Sequence, residues 1–214
     1  MEAERHTLLA DGNRGAATRD RPHPARVADD ALLDAARRCV LADGVRRTTL
    51  AGIARSAGVS RMTVYRRFPD VGSVLAALMT REFGALLRRV AAEVPAGVGT
   101  ARARLVEHAV AGVCALAADP LLRTVLDLDS DLLLPYITER FGATQLLAEE
   151  FLHALVADGH RDGSVRRGDA AVQARALLVL LQSFVLSRRP ATTGIDDATL
   201  LTELRHLLEG ALAP

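Results

Sequence analysis

The sequence predicts an all-α protein, and three observations support this fold class. Half of the 214 residues are hydrophobic, which is enough for a sizeable core. Apolar residues recur with the period of helices, whereas the alternation typical of strands is almost absent. Glycine and proline lie mostly between the periodic runs. We therefore expect about nine helices, arranged as a small N-terminal domain and a larger C-terminal domain.

The first three helices follow from an apolar stripe and from capping residues. A stripe that starts at Leu32 predicts the first helix, which Gly44 can end. Thr49 can cap a second helix and Ser60 a third, and Pro69 ends the third because the residue before a proline disfavours the α conformation. Further helices are expected near residues 70–92, 101–118, 120–128, 135–158, 169–187 and 197–212.

Charge is distributed unevenly along the chain. Residues 1–69 contain thirteen arginines against eight acidic residues, whereas residues 70–214 contain fourteen arginines against eighteen acidic residues. A basic front end on a mildly acidic body indicates contact with a polyanion. Residues 1–25 carry glycines, prolines and scattered arginines without a sustained period. We expect them to form a mobile basic arm, which lies against DNA or is a plain disordered tail.

Several other classes of function are disfavoured. Cys39 and Cys114 lie far apart without a spacing motif, which indicates small buried residues in a reducing cytoplasm. We find no signal peptide and no apolar stretch of the roughly eighteen residues that a membrane span needs. His153 and His160 lie seven residues apart with no third ligand in register, so we expect no metal. No nucleophile elbow or phosphate-binding loop is present, so we expect neither an enzyme nor a cofactor.

The three short helices form a predicted helix-turn-helix. Ala57-Gly58-Val59-Ser60 supplies a glycine that can take positive φ, followed by a capping residue. The third helix can bury Val64 and present its opposite face to the major groove of DNA. That outer face is expected to carry Arg61, Thr63, Arg66 and Arg67, with Tyr65 at its flank. No carboxylate occurs between Asp43 and Asp70, and this absence favours contact with phosphate.

These residues resemble the N-terminal signature of the tetracycline-repressor (TetR) family over about residues 27–80. The matching stretches are Asp43-Gly44, Thr48-Thr49, Ile53-Ala54, Ala57-Gly58-Val59-Ser60 and Thr63-Val64-Tyr65-Arg66-Arg67-Phe68-Pro69. The resemblance implies an all-α homodimer whose repression is relieved when a small molecule enters the C-terminal domain. It also implies that Thr49 and Tyr65 contact phosphates and that Arg61 and Thr63 face the groove, with Ser60 in the same surface.

The sequence departs from the family pattern in three places. Ala51 and Gly52 replace an acidic pair in the second helix, and Met62 stands where glycine is frequent. Val71 and Gly72 replace the Lys-Glu pair that usually opens the fourth helix. The last change removes a phosphate contact and an acidic residue at a helix start.

The last two helices are predicted to form the dimer interface. Residues 176–186 are apolar nearly all round a helix, so that helix must be covered on more than one side. The family resemblance implies a four-helix bundle with the same helices of a second subunit, and the alternative is a central helix of a monomer. Candidate interface residues are Leu177, Leu181, Phe184, Leu200, Leu204 and Leu208.

The C-terminal domain is predicted to hold the effector pocket. Its lining is expected from the helices between about residues 100 and 160, and the apolar composition favours a hydrophobic effector. Core packing requires the same kind of residues, so each candidate can also be an ordinary core or surface residue. The candidates are His108, Cys114, Arg123, Tyr136, Phe141 and His153.

The sequence therefore predicts a cytoplasmic, homodimeric transcriptional regulator that binds an inverted repeat in double-stranded DNA. Its expected division is residues 1–25 as the arm, 26–70 as the helix-turn-helix domain and 71–214 as the effector-binding and dimerisation domain. A repressor released by a small molecule is the favoured mechanism. The alternative is a helical protein that binds small molecules and whose DNA contacts have decayed, which the loss at Val71 and Gly72 supports.

Overall fold

The computed structural model describes residues 24–94 and 99–214, and it contains helices without strands in those ranges. The helices are α1 (Pro24–Asp43), α2 (Leu50–Ala57), α3 (Arg61–Arg67), α4 (Val71–Glu93), α5 (Ala101–Ala118), α6 (Pro120–Leu128), α7 (Leu134–Thr138), α8 (Ala143–Arg161), α9 (Ala170–Ala191) and α10 (Asp197–Leu212), with a 3₁₀ turn at Ser130–Leu133. The predicted all-α fold class is confirmed. Apart from Pro24 and Ala25, which begin α1, the predicted basic arm lies outside the described residues.

The first hydrophobic core joins the three N-terminal helices to two later ones. Its buried side chains include Ile53 of α2 and Val64 of α3, together with the α1 stripe that the sequence predicted, except that Cys39 in that stripe is half-buried. Val74 and Leu78 of α4 and Leu121 and Val125 of α6 complete it. The N-terminal unit therefore buries its apolar face partly against helices that lie beyond residue 70 in the sequence.

The second core lies among α5, α8, α9 and α10. Leu105, Val113, Val156, Leu204 and Leu208 are almost completely buried in it. Phe83 of α4 and Leu122 of α6 also belong to this cluster. Because α4 and α6 contribute to both cores, they connect the N-terminal unit mechanically to the rest of the subunit.

A buried carboxylate fixes the end of α6 to the turn after α1. Asp129 is 2% exposed, and its Oδ2 accepts a hydrogen bond from the backbone amide of Val45 at 2.7 Å. Its Oδ1 lies 3.4 Å from Nε of Arg46. Gly44 has a φ of +79°, and a Cβ there would lie 3.1 Å from Oδ2 of Asp129. A glycine is therefore required at this turn by both its backbone conformation and the close carboxylate.

The stretch predicted as one helix at 135–158 is two helices, and this corrects the prediction. The break falls at Gly142, whose backbone is extended and whose amide donates to Oε1 of Gln145 at 2.7 Å. Nε2 of Gln145 donates to the Tyr136 carbonyl at 2.8 Å and to Oε1 of Gln182 at 2.5 Å. Side-chain hydrogen bonds thus satisfy the backbone groups at the break, which hydrophobic periodicity does not report.

Helix α9 is long and apolar enough, by length and composition alone, to cross a membrane, and so is the bent pair of α5 and α6. The sequence reasoning had found no such stretch. One face of α9 is an ordinary core face, with Ala174, Leu177, Leu178 and Val185 buried within the subunit. A core helix of a soluble protein passes the same test, so this finding is weak evidence for a membrane span.

Candidate nucleic-acid interface

Local capping builds the helix-turn-helix. The hydroxyl of Thr49 accepts a hydrogen bond from the Gly52 amide at 3.0 Å and so caps α2. Gly58 has a φ of +68° and ends the same helix, as the sequence predicted. Ser60 then caps α3 by accepting from the Thr63 amide at 3.1 Å, and its hydroxyl also lies 2.8 Å from that of Thr63. These caps define where each helix starts and therefore which residues of α3 point outward.

Val64 determines the orientation of α3. It is completely buried, in the core that α2 and α3 share with residues of α1 and α4. At about 100° per residue, Met62 and Arg66 lie about 160° to either side of Val64 and so form the outermost ridge of the helix. Met62 is 75% exposed and Tyr65 is 51% exposed. Tyr65 is therefore a surface residue of α3 and does not belong to the core.

Two depressions lie on this surface. A shallow groove of about 430 Å³ is lined by Ser60, Met62, Thr63, Tyr65 and Arg66. A second cleft, of about 240 Å³, lies where α1 meets α2 and is lined by Cys39, Asp43, Arg47, Thr48, Thr49, Gly52, Arg55 and Ser56. The predicted residues Thr49, Ser60, Thr63, Tyr65 and Arg66 therefore line neighbouring depressions at the start of α2 and along α3.

The sequence reasoning missed Met62, Arg47 and Arg55 as surface residues of this region. Arg47 adjoins the Thr48-Thr49 pair, and its Nε donates to the Asp43 carbonyl at 2.8 Å. Arg55 is exposed on α2. A helical projection of α2 and α3 about Ile53 and Val64 places Arg55 and Met62 on the outer faces, so the signal was present in the sequence.

Arg67 and Arg61 occupy different situations on α3. Each lies three residues from Val64 and is therefore rotated by about 60° from it around the helix axis, on opposite sides. Arg67 forms a bidentate ion pair with Asp29 of α1, and that carboxylate raises the pKa of the guanidinium. Contact between Arg67 and DNA would therefore require this ion pair to open. Arg61 is exposed, as the sequence predicted.

The opening of α4 differs from the family pattern but is well capped. Asp70 accepts a hydrogen bond from the Ser73 amide at 2.7 Å, and the Ser73 hydroxyl completes a capping box. Ser73 therefore takes the place of the acidic residue that the family has in this turn, and an acidic side chain still lies at the helix start. The start of α4 is thus capped despite the substitutions at Val71 and Gly72.

Two of the six predicted pocket residues lie on the surface. Arg123 is exposed and its Nε donates to the Ala117 carbonyl at 2.8 Å, and His153 is exposed on α8. Both side chains therefore lie outside the second core, which receives Leu122 of α6 and Leu152 of α8, and their role in an effector pocket stays a prediction.

Of the other four pocket candidates, three lie inside or at the edge of the second core and Tyr136 lies on α7. His108 is buried, its Nδ1 lies 2.6 Å from the Arg104 carbonyl, and its ring meets Phe151 edge-on at 5.4 Å. Cys114 and Phe141 pack against the core while half-buried, and Tyr136 is half-buried on α7. The structure does not bring these four residues together around one described cavity.

The predicted dimer residues divide into two groups. Leu177, Leu204 and Leu208 are 6%, 0% and 0% exposed, so they belong to the subunit's own core and have almost no surface to offer a partner, which corrects the prediction. Leu181, Phe184 and Leu200 are half-buried. Periodicity identified the apolar stripe but not which part of it faces inward. The exposed apolar side chains of these helices are Val172, Val179 and Leu207.

A helix-turn-helix that presents arginines, a tyrosine and capped helix starts on one exposed surface defines a DNA-binding protein. The profile of the bacterial regulatory proteins of the tetR family matches residues 32–78. An uncharacterised HTH-type transcriptional regulator of Mycobacterium bovis is 43% identical over 181 residues, which is 85% of this chain and 92% of that protein. The chain therefore belongs to the tetR family and is a transcriptional regulator.

Solved structures agree on the fold. A transcriptional regulator FadR from Bacillus subtilis, in complex with stearoyl-CoA, has a TM-score of 0.62 at 18% identity, over 86% of this chain and 98% of that one. A transcriptional regulator from Saccharomonospora viridis, in complex with choline, has a TM-score of 0.62 at 20% identity, over 88% and 98%. At these identities the likeness concerns the fold alone.

Proposed function

We propose that this regulator is a cytoplasmic, non-enzymatic homodimeric repressor that binds an inverted-repeat operator and leaves it when a small molecule binds the C-terminal domain. The single observation that carries the DNA-binding part is the outward face of α3. Val64 anchors that helix, and Met62, Tyr65 and Arg66 stand exposed on it. Such a face fits the major groove of duplex DNA.

The residues on this surface suit distinct parts of DNA. Arg61 and Arg66 can donate to guanine edges or to phosphates. The Thr49 hydroxyl accepts from Gly52 and keeps its own proton available to donate to a phosphate oxygen. Tyr65 can donate its phenolic proton in the same way. Ser60 and Thr63 already share a hydrogen bond, so their first role in this proposal is to fix the start of α3.

Dimerisation is supported by the outer face of α9. Val172, Ala176, Val179 and Ser183 form an exposed stripe of small and apolar residues along that helix. Val172 and Val179 are 65% and 54% exposed, and Leu207 of α10 is 48% exposed. Burial of this stripe against the same helices of a second subunit would remove it from water. A twofold dimer then presents two α3 helices to successive major grooves, about 34–36 Å apart.

The interface proposal is tested by Val179→Arg. Light scattering at micromolar concentration should give a dimer for the wild type and a monomer for the variant, because a charged side chain would be buried without a partner. Leu146→Arg is the matched control, since Leu146 is similarly exposed, at 51%, but lies on α8. A dimeric Val179→Arg protein would place the interface elsewhere.

Release by an effector is supported by the connection between the two cores. Any ligand that favours a different packing of α5 and α8 would act on α4 and α6, which belong to both cores. The solved relatives with stearoyl-CoA and choline show that proteins of this fold bind small molecules. His108, Cys114, Tyr136 and Phe141 remain candidate contacts for a hydrophobic effector in this protein.

The operator proposal is tested by fluorescence anisotropy. The purified dimer is titrated into labelled DNA from its own upstream intergenic region at about 150 mM salt, with excess unrelated duplex as competitor. Binding should survive the competitor and map to an inverted repeat. Arg66→Ala should weaken it at least about fivefold, as expected for the loss of one bidentate base contact. Arg167→Ala removes the same charge from an exposed loop of the C-terminal domain and should leave the affinity unchanged.

Failure of this experiment has a definite meaning. If the upstream DNA does not bind, selection from a random duplex library follows, since an operator can lie elsewhere. Failure of that selection as well would contradict the repressor proposal. Equal effects of Arg66→Ala and Arg167→Ala would contradict the assignment of α3 as the recognition helix.

A further inference from the structure

An exposed methionine stands on the outer ridge of α3, within the proposed DNA-binding surface. Met62 is 75% exposed, which is the largest value among the exposed large apolar side chains in the part of the chain that the structure describes. It is not among the apolar residues packed against the first core. Most of this thioether side chain is therefore in water, outside the packing of the first core, and is free to contact a partner.

With α3 in the major groove of DNA, Met62 would lie on the side of the helix that faces the edges of the bases. Met62 and Arg66 are four residues apart and form the outermost ridge of the helix, opposite Val64. Met62 also lines the groove that contains Tyr65 and Arg66. A helix that lies in the major groove reads bases with its outermost side chains, while residues on its flanks contact the sugar-phosphate backbone.

The chemistry of the major groove identifies the group that Met62 meets. The edges of the bases there are hydrogen-bond donors and acceptors with one apolar exception, the C5-methyl group of thymine. The methionine side chain is unbranched, flexible and polarisable, so it can close on a methyl group without a fixed shape. Guanine, adenine and cytosine carry no methyl group in the major groove, so they offer the thioether less apolar surface to bury.

We propose that Met62 is a specificity-determining residue that reads the C5-methyl group of a thymine at one position in each half of the operator. The inference rests on the DNA binding proposed above. It assigns base recognition to Met62, which from the sequence alone is only a departure from the glycine that is frequent at this position in the family. Arg66, one turn further along α3, reads or anchors the neighbouring position.

Replacing thymine by deoxyuridine tests the contact, because that change removes only the methyl group. Each thymine pair of the selected operator is replaced symmetrically, and binding is measured by anisotropy. At one position, removal of the methyl group should lower the affinity of the protein for the operator about fourfold for one half-site, or about fifteenfold for both. This factor follows from the free energy of burying one methyl group. Met62→Ala should bind the thymine and deoxyuridine operators equally, and Met62→Leu should restore the preference for thymine.

Controls separate this contact from general effects. Val59→Ala truncates another exposed apolar residue, in the turn before α3, and should keep the thymine preference. Circular dichroism should show that all variants keep the wild-type helix content, since Met62 is on the surface. If Met62→Ala keeps the wild-type response, or if no thymine position responds in the wild type, the Met62 contact is refuted while DNA binding stands. Absence of binding to any selected duplex would overturn the repressor proposal and the contact together.

Discussion

Replacing the buried Asp129 by alanine should destabilise the subunit far more than the same replacement of the exposed Asp131. Asp129 lies at the end of α6 and accepts a buried hydrogen bond from the Val45 amide at 2.7 Å. The variant leaves that amide without its partner in a site where the carboxylate was 2% exposed. The connection between α6 and the turn after α1 is thereby lost.

The magnitude follows from the two interactions of the carboxylate. A hydrogen bond to a charged acceptor contributes about 1.5–3 kcal/mol, and the unpaired buried amide accounts for much of that loss. The Arg46 ion pair adds less than about 1 kcal/mol, because Arg46 is 62% exposed. We expect Asp129→Ala to lower the free energy of unfolding by about 2–3 kcal/mol. Asp129→Asn keeps an acceptor oxygen and should lose about half as much.

Urea denaturation at one fixed protein concentration measures the effect, since the stability of a dimer depends on concentration. Asp131→Ala is the matched control: Asp131 pairs with the same Arg46 but is 53% exposed on its side chain. That control should change stability by less than about 1 kcal/mol. If Asp129→Ala and Asp131→Ala are equally stable, the buried hydrogen bond is not what holds the turn.

Three further predictions concern other parts of the subunit. Tyr65→Phe should weaken operator binding about fivefold through loss of one hydroxyl contact, with an unchanged melting temperature; equal affinity would exclude the phosphate contact. Gly44→Ala should lower the free energy of unfolding by about 2 kcal/mol, because of its positive φ and the nearby carboxylate, as measured by urea denaturation. Gly58→Ala, with no atom within 4 Å of its Cβ, should cost about half of that. Asp162 accepts hydrogen bonds from the Ser164 hydroxyl and from the amides of Ala101 and Ser164, which lower its pKa from 3.8 to about 2. Because that pKa is lowered on folding, the carboxylate should make the wild type more stable to unfolding than Asp162→Asn above about pH 4, and this difference should fade towards pH 2. Urea denaturation at several pH values measures it, and a difference that does not change with pH would refute the prediction.

The sequence by itself determined the elements whose signals are local. Thr49, Ser60 and Gly58 occupy the caps and the turn that their side chains and positive φ favour. The apolar period placed the fully buried Val64 on the inner face of α3, and with it the outward face that carries the candidate DNA contacts. Each of these features depends on residues within about one or two helical turns, which is the range over which a sequence pattern is informative.

Only the tertiary structure decided which apolar stripes face inward and which polar groups are already paired. Leu204 and Leu208 lie in the subunit core and not in the predicted interface. Arg67 pairs with Asp29 of α1, which lies 38 residues earlier in the sequence. Asp129 meets Val45 across 84 residues. A helical period reports that one face needs to be buried, but several faces compete for each core, and long-range packing selects the partner.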